Sequence, residues 1–408
     1  MKKIFLTLIT LVMTGIAALA QDNQVNVDIQ FRARGEYVNG YKALRYKGES
    51  PKLVGNERAR LGIGYQYKNV LELKVSGQHT GLWNSDGAKG HASLNEAWAK
   101  VNFGKGWFAQ VGRMQLAYDD ERILGASDWK PSATWHDALR FGYDGNINKL
   151  HLIFALDQKG EKNWGKFYAG SMPYKSMQAM WYHYQSSQDP VGVSALFMNV
   201  GREAIDGTNK TKYMQTFGTD INYTPAPWSY HFAMYFQTGK TIDNLKQSAI
   251  MLVGGIGYQI DSAWGVNIGY DYLGGSDGEK NISQVFDALY ATNHKYYGLM
   301  DYFPGRLESG LQDYHAGITS KAIKNVSMQL DYHYLLAAHE IKDFRRLGHE
   351  VDLQMNAQLC KNISLAAGYS MMFATHTMEL ITGGSHRSWQ DWGWLSLNIN
   401  PRIFSHKW

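Results

Sequence analysis

From position 24 onward, apolar and polar residues alternate with period two. Val25, Val27, Ile29, Phe31 and Ala33 share one parity, and Gln24, Asn26, Asp28, Gln30, Arg32 and Arg34 the other. In an extended chain this sets an apolar face against a wet one. The pattern returns in Ala59, Leu61, Ile63, Tyr65 and Tyr67, in Val326 to Tyr334, in Val351 to Leu359 and in Ile363 to Phe373. It predicts long amphipathic strands rather than helices. Eighteen segments carry it: 24–34, 56–68, 70–80, 92–104, 106–113, 134–144, 149–157, 174–187, 190–200, 211–223, 228–238, 247–260, 264–274, 312–322, 326–336, 348–360, 362–373 and 390–402.

Their connections alternate in length. Lys68-Asn69, Gly104-Lys105-Gly106, Gly145 to Asn148, Ser187 to Pro190, Thr224 to Pro227, Asp261 to Ala263, Ile323 to Asn325 and Lys361-Asn362 are tight, and the links between them are longer, 275–311 most of all. An even strand count with this asymmetry predicts an all-β fold, a transmembrane antiparallel β-barrel of about 18 strands with short periplasmic turns and long extracellular loops. Rings near strand ends, such as Trp107, Tyr143, Trp228, Tyr258, Trp264, Tyr272, Tyr334 and Phe373, suit an aromatic girdle at the headgroups. A soluble secreted sandwich would also alternate, but it gives no reason for the short and long connections to alternate.

Met1-Lys2-Lys3, the apolar run Ile4 to Ile16 and Ala18-Leu19-Ala20 read as a secretory signal peptide over 1–20, leaving 21–408 as one barrel domain. No later stretch offers the roughly 18 uncharged apolar residues of a membrane helix. The expected location is the outer membrane of a Gram-negative cell, with outer-membrane lipid as the surrounding partner. Charged residues are 19% of the chain, below the usual roughly 25%, while aromatics reach 13%. Without the leader, 39 basic residues face 36 acidic ones, which is no footprint for nucleic acid. The single Cys360 excludes a disulfide scaffold.

If the apolar parity faces lipid, the lumen receives Arg32, Arg34, Arg58, Arg60, Glu72, Lys74, Glu96, Lys100, Arg140, Asp220, Asp271, Asp331, His333, Glu350 and Asp352. Charges of both signs describe a water-filled passage. Arg32, Arg34, Arg58 and Arg60 fall on adjacent strands, and guanidinium groups match carboxylates in geometry. The patch either guides an anionic solute or pairs with lumenal carboxylates and stiffens the wall, and both readings stay open here.

Chemistry of other kinds is weakly signalled. Gly160 to Phe167 approaches a P-loop, but Phe167 stands where Ser or Thr would hold magnesium. Asp144 to Asn148 begins like a calcium loop but lacks the glycine and closing glutamate. No zinc-protease helix motif and no Gly-x-Ser-x-Gly elbow occurs. The reading is therefore not an enzyme, with no catalytic residue, metal or cofactor; an outer-membrane hydrolase would have only His91, His294 and His386 as loose candidates.

The segment Gly112-Arg113-Met114-Gln115-Leu116-Ala117-Tyr118-Asp119-Asp120-Glu121-Arg122-Ile123-Leu124-Gly125-Ala126-Ser127-Asp128-Trp129, followed by Trp135-His136-Asp137-Ala138-Leu139-Arg140, resembles the alginate export family of outer-membrane barrels. Phe286 to Gly298 is a second match, in the longest loop. The resemblance implies eighteen strands and a basic lumen with acidic residues at a constriction, through which an anionic uronate polysaccharide passes. It singles out Arg113, Asp119, Asp120, Arg122, Asp128, Asp137 and Arg140 for the pathway beside Arg32, Arg34, Arg58 and Arg60. Asp287, His294 and Lys295 become a loop lid. The expected function is an outer-membrane channel for an anionic solute, an alginate-like acidic oligo- or polysaccharide in its finer form. The alternative is a general diffusion porin. The sequence leaves a periplasmic partner unknown.

Overall fold

The computed structural model describes residues 23–83, 90–157, 174–205, 210–276, 281–303 and 307–408. The expected leader and the near P-loop lie outside the described residues. The chain forms β1 (Asn23–Asn39), β2 (Lys52–Tyr67), β3 (Leu71–Leu82), β4 (His91–Gly104), β5 (Trp107–Met114), β6 (His136–Asp144), β7 (Asn148–Leu156), β8 (Ser176–Gln185), β9 (Val191–Glu203) and β10 (Thr211–Tyr223). It continues with β11 (Trp228–Lys240), β12 (Lys246–Gln259), β13 (Trp264–Leu273), β14 (Ile282–Ser283), β15 (Leu311–Ser320), β16 (Val326–Ile341), β17 (Phe344–Cys360), β18 (Ile363–Ala374), a short helix α1 (His376–Thr382), β19 (Gln390–Ile399) and β20 (Arg402–Lys407).

Neighbours in the chain pair antiparallel, and β13 reaches past the two-residue β14 to pair with β15. The last strand is broken. β1 pairs with β19 over Phe31–Asn39 and with β20 over Gln24–Asp28. Pro401, which has no N–H, sits at the break and accepts from Ile29 N at 3.0 Å. The result is a closed 18-strand antiparallel barrel, in which every spanning strand has two partners and no edge is left.

The outer face is apolar where the alternation demands it: Ile63, Val75, Val111, Phe154, Ile268 and Leu395 are all exposed. Rings pair at the short-turn end, Trp107 with Tyr143 at 5.1 Å and Trp228 with Tyr258 at 4.6 Å. A contiguous belt of this kind belongs against hydrocarbon.

Two features depart from the sequence pattern. β16 and β17 run well past the expected strand ends and meet in a two-residue turn, Lys342-Asp343, both at positive φ (48° and 70°), the geometry that matches strand twist in a hairpin. Second, one half of the inner wall is apolar. Ile153, Ala155, Met177, Met198, Val200, Ala233, Tyr235, Met251 and Val253 are buried although they share the inward parity. They are covered by the loops 115–135 and 284–303, which fold into the lumen instead of outward. Leu116, Ile123, Leu124, Phe286 and Met300 from these loops join the same buried cluster. Each such side chain contributes roughly 1.5–3 kcal/mol on burial, which is what holds a polar-backbone loop inside a barrel.

Candidate functional site

The two inserted loops hold each other before they hold the wall. Leu124 and Tyr290 form a parallel bridge, with Gly125 N donating to Tyr290 O (2.9 Å) and Tyr290 N to Ile123 O (3.1 Å). Thr292 receives Ser127 N on its hydroxyl at 3.0 Å and itself donates to Glu121. Lys295 donates to the other oxygen of Glu121.

Charged side chains then tie this pair to the barrel. Arg122 is buried, bonds Asp271 of β13 (2.9 Å), Asp120 (2.7 Å) and Tyr297 Oη (3.1 Å), and lies 3.8 Å over the ring of Tyr296. Burial alone would lower its pKa, but Asp271 and Asp120 overcome this and raise it, so Arg122 stays charged. Arg202 of β9 bonds Asp287 at 2.8 Å. On the opposite wall, buried Glu350 and Asp352 accept the backbone N–H groups of Met300 (2.7 Å) and Leu299 (3.2 Å).

The arginine patch has partners. Arg58 grips Asp128 with both terminal nitrogens (3.0 Å each), Arg60 adds a third bond at 2.9 Å, Arg32 donates to the Asp128 carbonyl (2.8 Å) and Arg34 to the Trp129 carbonyl (3.1 Å). Burial would raise the Asp128 pKa, yet Arg58 and Arg60 hold the carboxyl below its ordinary value. Of the two readings the sequence left open, the geometry is that of pairing: these guanidinium groups latch a loop. Arg140 faces inward to Tyr118 Oη (3.2 Å) and Gln110.

Asp119 accepts from Trp181 Nε1 at 3.0 Å. Partial removal from water inside the barrel raises its pKa to about 6, with Asp220 and Asp120 adding to the effect and hydrogen bonds from Ser194 and Trp181 opposing it.

Arg113 and Asp137 lie elsewhere than expected. They share the parity of exposed Val111 and Leu139, pair with each other at 2.7 Å and place the Arg113 guanidinium 3.9 Å over Trp135 on the outer face. This corrects their assignment to the pathway: the strand reaches the rim there, where a charged pair can face the headgroups.

Among the described residues, one lumenal cavity of about 480 Å³ lies along β1–β4 beside Arg60, Glu72, Lys74 and Glu96, and two larger ones meet at the inserted loops. An outer cavity of about 840 Å³ is lined among others by Arg34, Tyr41, Lys42, Lys130, Asp301 and Thr382. An inner one of about 700 Å³ is lined among others by Arg32, Asp271, Asp313, Asp331, His333 and Asp352. Trp129, Thr292 and His294 border both. At this partition Trp129 stacks on His294 (4.3 Å, 15°), carries Arg34 on its face at 4.0 Å and meets Trp394 edge-on at 4.8 Å. His294 bonds Asp301 at 2.8 Å, and with Tyr41 it lowers the Asp301 pKa against the effect of burial. Trp392, Trp394 and Tyr41 escaped the sequence reading; the inward i, i+2 pair Trp392 and Trp394 on one strand was the available signal. Lys42 and Lys130 were likewise missed, because turn lysines look like ordinary solvated charge.

Asp120, Asp220 and His231 bring ligating atoms close together inside the lumen, but Arg122 already bonds Asp120 there and supplies the counter-charge a cation would bring.

The sequence profile of the alginate export family matches residues 23–383. No curated protein matches the chain. Among solved structures, Acinetobacter baumannii OccAB1 superposes with a TM-score of 0.67 at 12% identity, covering 93% of this chain and 97% of that one. Pseudomonas aeruginosa OccK5 (OpdH) gives 0.64 at 10%, covering 93% and 99%. The structure of Pseudomonas aeruginosa OpdK with vanillate gives 0.64 at 9%, with the same coverage. Family and fold together make this an outer-membrane channel of a Gram-negative bacterium.

Proposed function

The chain belongs to the alginate export family, and from that premise we propose that its channel passes an acidic oligosaccharide of the uronate class. The observation that carries this reading is the outer cavity, where Lys42 and Lys130 have no carboxylate within ion-pair distance among the described residues. A carboxylated sugar ring can set its carboxylate against these free ammonium groups. The inner cavity, with Asp271, Asp313, Asp331 and Asp352, disfavours an anion that lingers. Conduction needs that balance of favourable loading and weak holding.

The test is block of single-channel current by oligouronates in a planar bilayer. The double variant K42A/K130A is expected to raise the blocking concentration about three- to tenfold, since each exposed ion pair contributes roughly 0.2–1 kcal/mol. Block of equal strength by neutral oligosaccharides of the same length, unchanged in the variant, would overturn the uronate reading. A general diffusion pore is the second reading, favoured by the engagement of both Arg58 and Arg60 with Asp128.

A further inference from the structure

One cluster of ligating side chains lies outside the lumen, at the long-loop end. α1 places His376 and Glu379 three residues apart on one helical face. Gly383 and Gly384, at φ +71° and +76°, then turn the chain back on itself, and this return carries His386 to the same carboxylate. His376 Nδ1 lies 3.0 Å from one oxygen of Glu379, and His386 Nδ1 lies 2.7 Å from the other. All three ligating atoms fall within 4.8 Å of one another.

A tetrahedral Zn²⁺ with bonds of about 2.0–2.2 Å keeps its ligand atoms about 3.3 Å apart, so the spacing is met by small side-chain movements. The return segment is also held in place. Ser385 N donates to Arg45 O (3.0 Å), Gln390 Nε2 donates to the carbonyls of Ser385 (2.9 Å) and Ser388 (3.0 Å), and His386 N donates to Glu379 (2.5 Å). Side-chain exposure of 64% at His376 against 21% at Glu379 and 28% at His386 leaves one open side toward solvent.

We propose that His376, Glu379 and His386 form an extracellular site for a borderline transition-metal cation of the Zn²⁺ class, with water in the remaining position. Two imidazoles and one carboxylate suit such an ion, whereas Ca²⁺ and Mg²⁺ require oxygen ligands. Ile381 and Thr382 of the same helix line the outer cavity, so a metal that joins α1 to its return segment stiffens the mouth of the channel.

The full chain, refolded in detergent, is titrated calorimetrically with Zn²⁺ alone. The wild type is expected to show one site tighter than any other, weakened at least tenfold in H376A and in H386A, unchanged in H406A, and not displaced by Ca²⁺. In the wild type, Zn²⁺ is also expected to protect His376 and His386 from diethyl pyrocarbonate, which needs no variant to fold. Identical isotherms in all variants, displacement by Ca²⁺, or equal modification with and without Zn²⁺ would overturn the site.

Discussion

Arg58 is 2% exposed and holds a carboxylate with both arms of its fork. Parity placed it in the lumen, but parity says nothing about which partner arrives from another part of the chain. That partner, Asp128, lies 70 residues away. The same limit applies to Asp119: the sequence shows its neighbour Asp120, but not the desolvation and the Asp220 carboxylate that together raise its pKa to about 6. Because the folded value lies above the unfolded one, protonation favours the seated loop. The resulting stabilisation is complete below the ordinary value of about 4 and is lost as pH rises through about 6. Above that point the lumen also gains a negative charge. The cation preference measured from reversal potentials is therefore expected to fall on acidification, with a component centred near pH 6 that D119N lacks. A D119N profile identical to wild type would contradict the assignment.

Among the elements, the spanning strands were legible because burial on one face and lipid on the other impose period two. Eighteen segments were expected and eighteen strands span the barrel. The inserted loops were not legible, since nothing local distinguishes an apolar residue that seeks another loop from one that seeks lipid. A trace existed in β7, where Leu150-His151-Leu152-Ile153-Phe154-Ala155-Leu156 abandons strict alternation, as strands covered on both faces do. The seat of the second loop depends on Gly298. It sits at φ +88°, and a Cβ there would come within 2.4 Å of the Glu350 carboxyl carbon. G298A is expected to unseat residues 296–301 at a cost of at least about 1 kcal/mol. Proteolysis in this loop should quicken while the barrel's own heat stability stays within a few degrees. Unchanged proteolysis would mean the loop is seated by other contacts.

For the molecule as a whole, the sequence conveyed a charged aqueous passage, and the structure divides that passage. A barrel of this strand number encloses more space than its own side chains can fill, and here the remainder is taken up by two loops that meet at Trp129, Thr292 and His294. Outer and inner cavities differ in charge: Lys42 and Lys130 line the outer one beside Glu36 and Asp301, and Asp271, Asp313, Asp331 and Asp352 line the inner one beside Lys295; in the function proposed above, anions load at the first and are released from the second. The measurement that tests this account most directly is single-channel conductance in a planar bilayer for the wild type beside W129A/H294A. Discrete openings in the wild type, with larger steps in the variant and an unchanged barrel fold, are the predicted result. Equal conductance in the two proteins would show that ions do not pass the Trp129–His294 partition, and the division of the lumen proposed here would be wrong.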